Sequence, residues 1–373
     1  MPSRETFAYR RALRLRAQKA VDDNDSTVDS VFARAQDDFL TFCTIMDKAP
    51  AHHMLEWHKH LITGVSNRYL LDIAGPNLDI LAPRGSAKST VLNMFTAWTI
   101  GRHTSKGMPL QIIYCSYNIA TAIPKSRIIK QIIDSTSFKK IFPKVKLKSG
   151  MQSDIGWSID FDYAGIDRVG DEEFTLRAAG LRGSITSKRA HLVIVDDPIK
   201  SSADIKNPAV RDEMNNNWSS VIAPIVFEGG RSICLGTRFH PLDIHKTMFS
   251  PTKGWKQVSQ EALTYDSEGD AVSYWPEQWS VEYLQQQKEL DPVAFAFQYQ
   301  QQPVMTSDLV LSPDLIVKGE VETEFDSLAV GIDLSASKNE TSDYTAFVLG
   351  GRLKDKFYII DAHQVRSIGN LEK

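Results

Sequence analysis

"LAPRGSAKST", residues 81–90, closes a short apolar run and opens a helical pattern. The phosphate-binding Walker A loop reads G-x-x-x-x-G-K-[ST]. Counted back from Lys88 and Ser89, Ala82 and Ala87 stand where that pattern has its glycines. Such a loop works because backbone N–H groups at a strand-to-helix turn converge on an anion at the positive end of the helix. Not every position of the turn requires glycine, Gly85 is retained inside it, and each alanine adds one methyl. Pro83, Arg84, Gly85, Ser86, Ala87, Lys88, Ser89 and Thr90 are thus the expected nucleotide-binding turn. Lys88 is placed to reach the β- and γ-phosphates and Ser89 to hold magnesium. Arg84 adds a second cation, for the γ-phosphate or for the loop itself.

Around this turn the pattern alternates. "NLDILAP" reads as a short buried strand, and "KSTVLNMFTAWTI" as a helix with Gly101 as its C-terminal stop. A second strand, "LQIIYCS", leads into a helix through "ATAIPKSRIIKQII" that Pro124 kinks or starts. "HLVIVDD" and "RSICLGT" are two further apolar strands ending in polar residues. Continuous apolar strands alternating with helices predict an α/β fold, a parallel sheet with helices on both faces. Upstream, residues 30–72 carry helical spacing. Downstream, helices are expected to begin at Ser280 and at Asp291-Pro292. "LAVGIDL", "YTAFVLG" and "KFYIIDA" then read as an antiparallel meander. The expected organisation is a basic arm and linker over 1–30, an ATPase domain over 31–303, a linker over 304–326 and a second domain beginning at 327.

At 373 residues and 42% apolar content, the chain is long enough for a full core and shows no apolar run of membrane-spanning length. A formal net charge of −3 announces no acidic partner, so any nucleic-acid contact must come from local patches. The densest basic stretches are 124–148 and 177–189, without the interleaved aromatics that single-strand stacking uses. The N-terminal "RETFAYRRALRLRAQKA" is a basic helical arm without the features of a secretory signal. Cys43, Cys115 and Cys234 sit in apolar surroundings and are expected to be reduced, buried thiols. His53, His58 and His60 do not share a helix face and lack acidic or thiol neighbours, so no metal site is expected there.

A phosphate-loop enzyme also needs one carboxylate on the metal side and another to orient or deprotonate the attacking water. "HLVIVDDP", residues 191–198, delivers Asp196 for the first and Asp197 for the second. Asp197 is one methylene shorter than the usual Glu, so the water must sit closer or the loop must move. "RSICLGTRFHPLDIH" ends a neighbouring strand at Thr237, whose hydroxyl is placed to sense the γ-phosphate.

These residues resemble the large subunit of the tailed-bacteriophage terminase. "APRGSAKST" is similar to that family's deviant Walker A loop, and "AAGLRGSITSKRAHLVIVDDPIKS" to its Arg-Gly turn and Walker B strand. "CLGTRFHPLDIH" resembles its coupling motif, and "WPEQWSVEYLQQQKELDPVAFAFQYQQQPV" the helices closing its ATPase region. "GIDLSASKNETSDYTAFVLGG" is similar to the opening strands of its RNase H-like nuclease domain. The matches keep the family's order from about residue 50 onward.

The resemblance implies ATP and Mg2+ bound through Arg84, Gly85, Lys88, Ser89 and Asp196, with Asp197 hydrolytic and Thr237 coupling. It implies a homo-oligomeric, pentameric ring on the portal protein of a procapsid, served by the terminase small subunit and driving double-stranded DNA inward. The place of action would be the host cytoplasm and, transiently, the portal; the mature virion and membranes are not expected. Arg84 and Arg238 are both candidates for action across subunits. For the nuclease, two ions (Mg2+ or Mn2+) about 4 Å apart lie between several carboxylates. Asp333 fits the first ligand and Asp343 is a second candidate. The remaining acids are expected from later strands, which the sequence does not reach by Lys373, so no cutting is expected of this chain alone. Two other readings share parts of the pattern. A helicase-like ATPase would lack the RNase H-like strands, and a non-catalytic portal-docking protein would not need Lys88, Ser89, Asp196 and Asp197 together.

Overall fold

The computed structural model describes residues 26–48, 52–166, 174–183, 185, 189–302, 319, 324–333, 345–354 and 356–365. The arm at 4–20, most of the 304–326 stretch, Asp343 and Lys188 lie outside the described residues. The chain divides into two compact units, Met1–Thr306 and Ser307–Lys373.

The first unit is built on an eight-stranded sheet of order β3-β4-β5-β2-β6-β7-β1-β8. Its strands are β1 (Leu78–Leu81), β2 (Ile112–Ser116), β3 (Leu147–Gln152), β4 (Gly156–Ile159), β5 (Leu176–Gly180), β6 (Ala190–Asp196), β7 (Val226–Gly236) and β8 (Lys256–Ser259). From β5 to β8 every pairing is parallel, while β3 and β4 form an antiparallel margin. Alternation along the strands explains why they read as continuous apolar runs. Ile112, Tyr114, Leu192, Ile194, Ile233 and Leu235 enter one core, and Ile113, Cys115, Val193, Val195 and Cys234 enter the other. Both faces are therefore covered, as the uninterrupted apolar strands predict. The three cysteines are free and buried.

Helices α1 (Ser26–Asp37), α2 (Phe39–Ile45) and α3 (His52–Leu61) precede the sheet. The helical spacing expected through residue 72 stops at Leu61, and α1 begins inside the stretch expected as linker. After Leu61 the chain turns on side-chain bonds to its own backbone: Asn67 Oδ1 accepts from the Tyr69 and Leu70 amides, and the Thr63 hydroxyl donates to the Ala74 carbonyl. Helix α4 runs from Lys88 to Ser105, straight through Gly101. Gly101 is not a stop but a contact: a Cβ there would lie 2.5 Å from the Phe142 ring. The chain turns instead at Gly107, whose φ is +74°.

Helix α5 (Ile119–Asp134) starts at a capping box between Asn118 and Thr121, and Pro124 lies within it. Pro124 has no N–H, so the Ala120 carbonyl loses its intrahelical donor. Helices α6 (Thr136–Ile141), α7 (Ser202–Lys206), α8 (Pro208–Asn217) and α9 (Ile244–Thr247) follow. A small lobe closes the unit: β9 (Leu263–Tyr265) and β10 (Ala271–Ser273) pair antiparallel, then come α10 (Val281–Leu290) and α11 (Pro292–Gln298). Ser280 and Asp291 cap α10 and α11 as expected. Among the described residues no helix is long and apolar enough to cross a membrane.

The second unit contains β11 (Ser327–Asp333), β12 (Thr345–Leu353) and β13 (Lys356–Val365) in an antiparallel meander. Leu328, Val330, Ile332 and Phe357 are exposed on it.

Candidate active site

The loop 82–87 leaves the C-terminal end of β1, which lies between β7 and β8, with β6 one strand beyond β7. Strand order thus brings the end of β6, carrying Asp196 and Asp197, to the same edge as the loop, as crevices at carboxyl ends of parallel strands require. Gly85 and Ala87 both take left-handed backbone, φ +77° and +61°. A left-handed alanine costs of order 1 kcal/mol, so the turn is held in a shape its sequence does not favour. Ala87 is the N-cap of α4 and offers no capping side chain, which leaves first-turn amides of an 18-residue helix to an external acceptor.

Lys88 is buried, its ammonium donating to the Pro83 carbonyl at 3.0 Å and lying 3.8 Å from Asp197 Oδ1. Burial lowers its pKa, and Asp197 and Asp196 act against that fall. The Ser89 hydroxyl donates to Asp196 Oδ1 at 2.9 Å. The other oxygen of Asp196 receives the Tyr114 hydroxyl at 3.0 Å and the Lys125 ammonium at 3.2 Å. Burial pushes the Asp196 carboxyl up and the neighbouring Asp197 adds to this, while Lys125 and Ser89 pull it back. Asp197 follows with φ +45°, a left-handed turn that Asp accepts more readily than most residues. Its side chain is 46% exposed and so open to solvent at the loop's mouth.

The Thr237 hydroxyl donates to the Ala82 carbonyl at 3.0 Å, tying the end of β7 to the start of the loop. Arg84 is exposed, with one guanidinium nitrogen 3.1 Å from Gln298 Oε1 and its amide donating to the Gln298 carbonyl. Arg238 is committed elsewhere: its Nε donates to Asp243 Oδ2 at 2.9 Å, it is 6% exposed, and it also serves the His240 and Pro241 carbonyls. Of the two arginines considered for action across subunits, only Arg84 stands at an open surface. Thr90 is exposed on the helix, and Pro83 and Ser86 are buried in the turn.

Several residues that sequence reading does not single out join the site. Trp279 lies over Gly85, its Nε1 donating to the Gly85 carbonyl at 3.3 Å. Lys125 is legible only as one cation of the basic 124–148 stretch, and Tyr114 only as an apolar strand residue. The separation from Lys125 to Asp196 carries no periodic signal. Beneath the loop, the buried His245 Nδ1 lies 3.0 Å from Asp79 Oδ1, and Gln257 donates to Asp79 Oδ2. Burial alone would lower the His245 pKa, but Asp79 and Asp243 raise it overall. Asp79, Cys234 and His245 are the one group of three ligating residues found among the described residues; the hydrogen bond joins His245 to Asp79, and the β1–β7 register sets Cys234 beside Asp79.

In the second unit Asp333 pairs with Ala346, which pairs in turn with Gln364. Asp361 pairs with Leu349 and so projects to the opposite face of the sheet from Asp333. No carboxylate among the described residues joins Asp333 in a metal-binding group, and Asp343 lies outside them.

No protein-family model matches the chain. A terminase large subunit from Enterobacteria phage T3 is 23% identical over 252 residues, covering 65% of this chain and 39% of that protein. The matched region thus spans well under half of the curated relative. Among solved structures, a large terminase from a thermophilic bacteriophage, in complex with ADP, is 10% identical with a TM-score of 0.40, covering 84% of this chain and 68% of that one. The large terminase ATPase domain of Thermus phage P74-26 is 13% identical with a TM-score of 0.40, covering 69% and 95%. The HK97 bacteriophage large terminase is 16% identical with a TM-score of 0.36, covering 78% and 59%. In its ordered motifs and in the T3 alignment, the chain is similar to the phage terminase large subunits.

Proposed function

We propose that this chain is the ATP-hydrolysing part of a viral DNA-packaging motor, acting on double-stranded DNA at a portal as a homo-oligomeric, pentameric ring with a small-subunit partner. The observation that carries the hydrolytic reading is the Ser89–Asp196 bond at the foot of an uncapped helix, with Lys88 and Asp197 beside it. The residues fit a nucleotide with magnesium. The left-handed turn and free helix start suit phosphate oxygens, and Ser89 and Asp196 are hard oxygen donors of the kind magnesium takes. Magnesium held there would neutralise charge developing on the phosphates.

The chain's own groups then divide the work. The loop amides and Lys88 hold the phosphate chain. Asp197, exposed at the rim, orients the attacking water and takes its proton. Thr237 reads the state of the loop through Ala82, and Arg84 shares the loop with the lobe carrying Gln298. DNA contact falls to cations that track a phosphate backbone without reading sequence. Within 124–148, Arg127 and Lys130 already face Asp154, and Lys139 faces Asp134, so the free positive charge is smaller than the sequence suggests. For a nuclease centre with Mg2+ or Mn2+, the reading assigns Asp333 as first ligand and Asp343 as second.

The test is magnesium-dependent ATP hydrolysis with and without double-stranded DNA, beside Lys88→Ala and Asp197→Asn. Asn accepts the left-handed backbone of position 197 as Asp does, so that variant removes charge without changing the turn. The reading expects turnover in the wild type and at least a hundredfold loss in both variants. Wild-type turnover equal to that of Asp197→Asn, with portal present, favours a non-catalytic portal-docking protein instead.

A further inference from the structure

Among the described residues, Lys125 is the one cation outside the loop that touches the carboxylate proposed for the metal. Asp196 is 1% exposed, whereas the Lys125 side chain is 27% exposed and lies 3.2 Å from Asp196 Oδ2. A buried carboxylate needs hydrogen bonds and a counter-charge. Ser89, Tyr114 and Lys125 supply them, and of the three only Lys125 supplies charge. Lys88, the other cation of the site, is turned to the Pro83 carbonyl and Asp197. Lys125 stands in the second turn of α5, on a helix whose start is fixed by the Asn118–Thr121 capping box. Its partly exposed stem lets the ammonium leave Asp196 without opening the core, a freedom that buried Tyr114 lacks.

The consequence is competition. An ammonium on Oδ2 and a divalent ion on the same carboxylate repel one another across a few ångströms of partly buried space. A site built only to hold the ion would not place a lysine there. We propose that Lys125 is a positioning residue that guards Asp196, holding the carboxylate in place but poorly receptive to a metal ion until nucleotide phosphates arrive to draw the ammonium away. Metal binding is thereby made conditional on nucleotide. This inference rests on the reading of Asp196 as the metal-side acid.

The experiment uses the full chain without nucleotide and Mn2+ alone as probe, followed by the electron paramagnetic resonance signal of free aqueous Mn2+ and by thermal unfolding. Wild type, Lys125→Gln, Lys125→Arg and Asp196→Asn are compared, then repeated with a non-hydrolysable ATP analogue. The expected result is that Lys125→Gln binds Mn2+ without nucleotide about tenfold more tightly than the wild type. Mn2+ should raise its melting temperature more than that of the wild type, with Lys125→Arg behaving like the wild type and Asp196→Asn binding none. A lysine that served stability alone would lower the melting temperature on substitution without changing metal affinity.

Equal Mn2+ affinity in wild type and Lys125→Gln, with both gaining the ion when the analogue is added, overturns the guarding role and leaves the site reading intact. No Mn2+ binding by the wild type even with the analogue removes Asp196 as metal acid, and the guarding role with it. Should Lys125→Gln not fold without metal, recovery of folding in Mn2+ is the supporting result and its absence the overturning one.

Discussion

The Trp279 indole lies against Gly85 so closely that a Cβ built on the glycine would come within 2.7 Å of Trp279 Cζ2. The residues are 194 apart in sequence and joined by the 3.3 Å bond from Nε1 to the Gly85 carbonyl. With Arg84 held by Gln298, this means that the lobe of α10 and α11 rests directly on the 82–87 turn.

Gly85→Ala meets two penalties, the methyl clash with Trp279 and the φ of +77° that a Cβ disfavours. Nucleotide affinity should fall about tenfold and the melting temperature by several degrees. Adding Trp279→Ala removes the clash but not the backbone cost, so the double variant should recover part of the loss. A double-mutant cycle with a coupling below about 0.5 kcal/mol would show that the two residues act independently.

How much of this is legible in the sequence follows the range of each interaction. Strands such as "HLVIVDD" and the Ser280 and Asp291 caps depend on neighbours within a few residues, and they are readable. So are Lys88, Ser89, Asp196 and Asp197 as candidate site residues, because residue type and spacing along one strand or turn single them out, and the fold brings them together. Gly101 misleads because local pattern treats glycine as a helix stop, whereas here it makes room for Phe142, 41 residues on. Lys125, Trp279 and the fate of Arg238 depend on which loops meet at the sheet's edge, information that no period or motif contains.

Arg238→Ala should behave as a stability variant. Its guanidinium is bound to Asp243, which also accepts the Phe239 and His240 amides and caps α9. Loss of a buried, hydrogen-bonded charge pair costs about 3 kcal/mol or more because the partner is left uncompensated. Mixed with Lys88→Ala subunits on a portal, Arg238→Ala subunits should show no recovery of ATPase rate. Recovery would mean that Arg238 is supplied by a neighbour, against its placement here.

Arg231 predicts a larger role than its position in a strand suggests. It is 1% exposed and donates to the carbonyls of His60, Leu61, Ile73 and Pro76, stapling the end of α3 and the following turn to β7. Burial lowers its pKa to about 10, still high enough to keep it charged at neutral pH. Arg231→Met retains an apolar stem and leaves four carbonyls without this donor, so unfolding in urea should occur with about 3 kcal/mol less stability. Arg231→Lys, with one head group in place of the fork, should recover only a minor part. Equal stability of Arg231→Met and wild type would refute the staple.

His103 sets an acid limit on the fold. It is buried in α4, its Nε2 accepting the Leu71 amide at 2.9 Å and its Nδ1 2.7 Å from the Thr99 carbonyl. Nε2 can accept only in the neutral ring, and burial lowers the pKa from 6.5 to about 4. Between those values the unfolded chain binds a proton that the folded chain refuses. Stability therefore falls as pH drops from 6.5 toward 4 and levels off below, by roughly 3 kcal/mol in total at about 1.4 kcal/mol per unit. Above 6.5 the ring is neutral in both states and contributes no slope. In His103→Gln the side chain does not titrate, so its stability, measured by urea unfolding at a series of pH values, should decline less over this window. Parallel curves for the two proteins would assign the acid sensitivity to other groups.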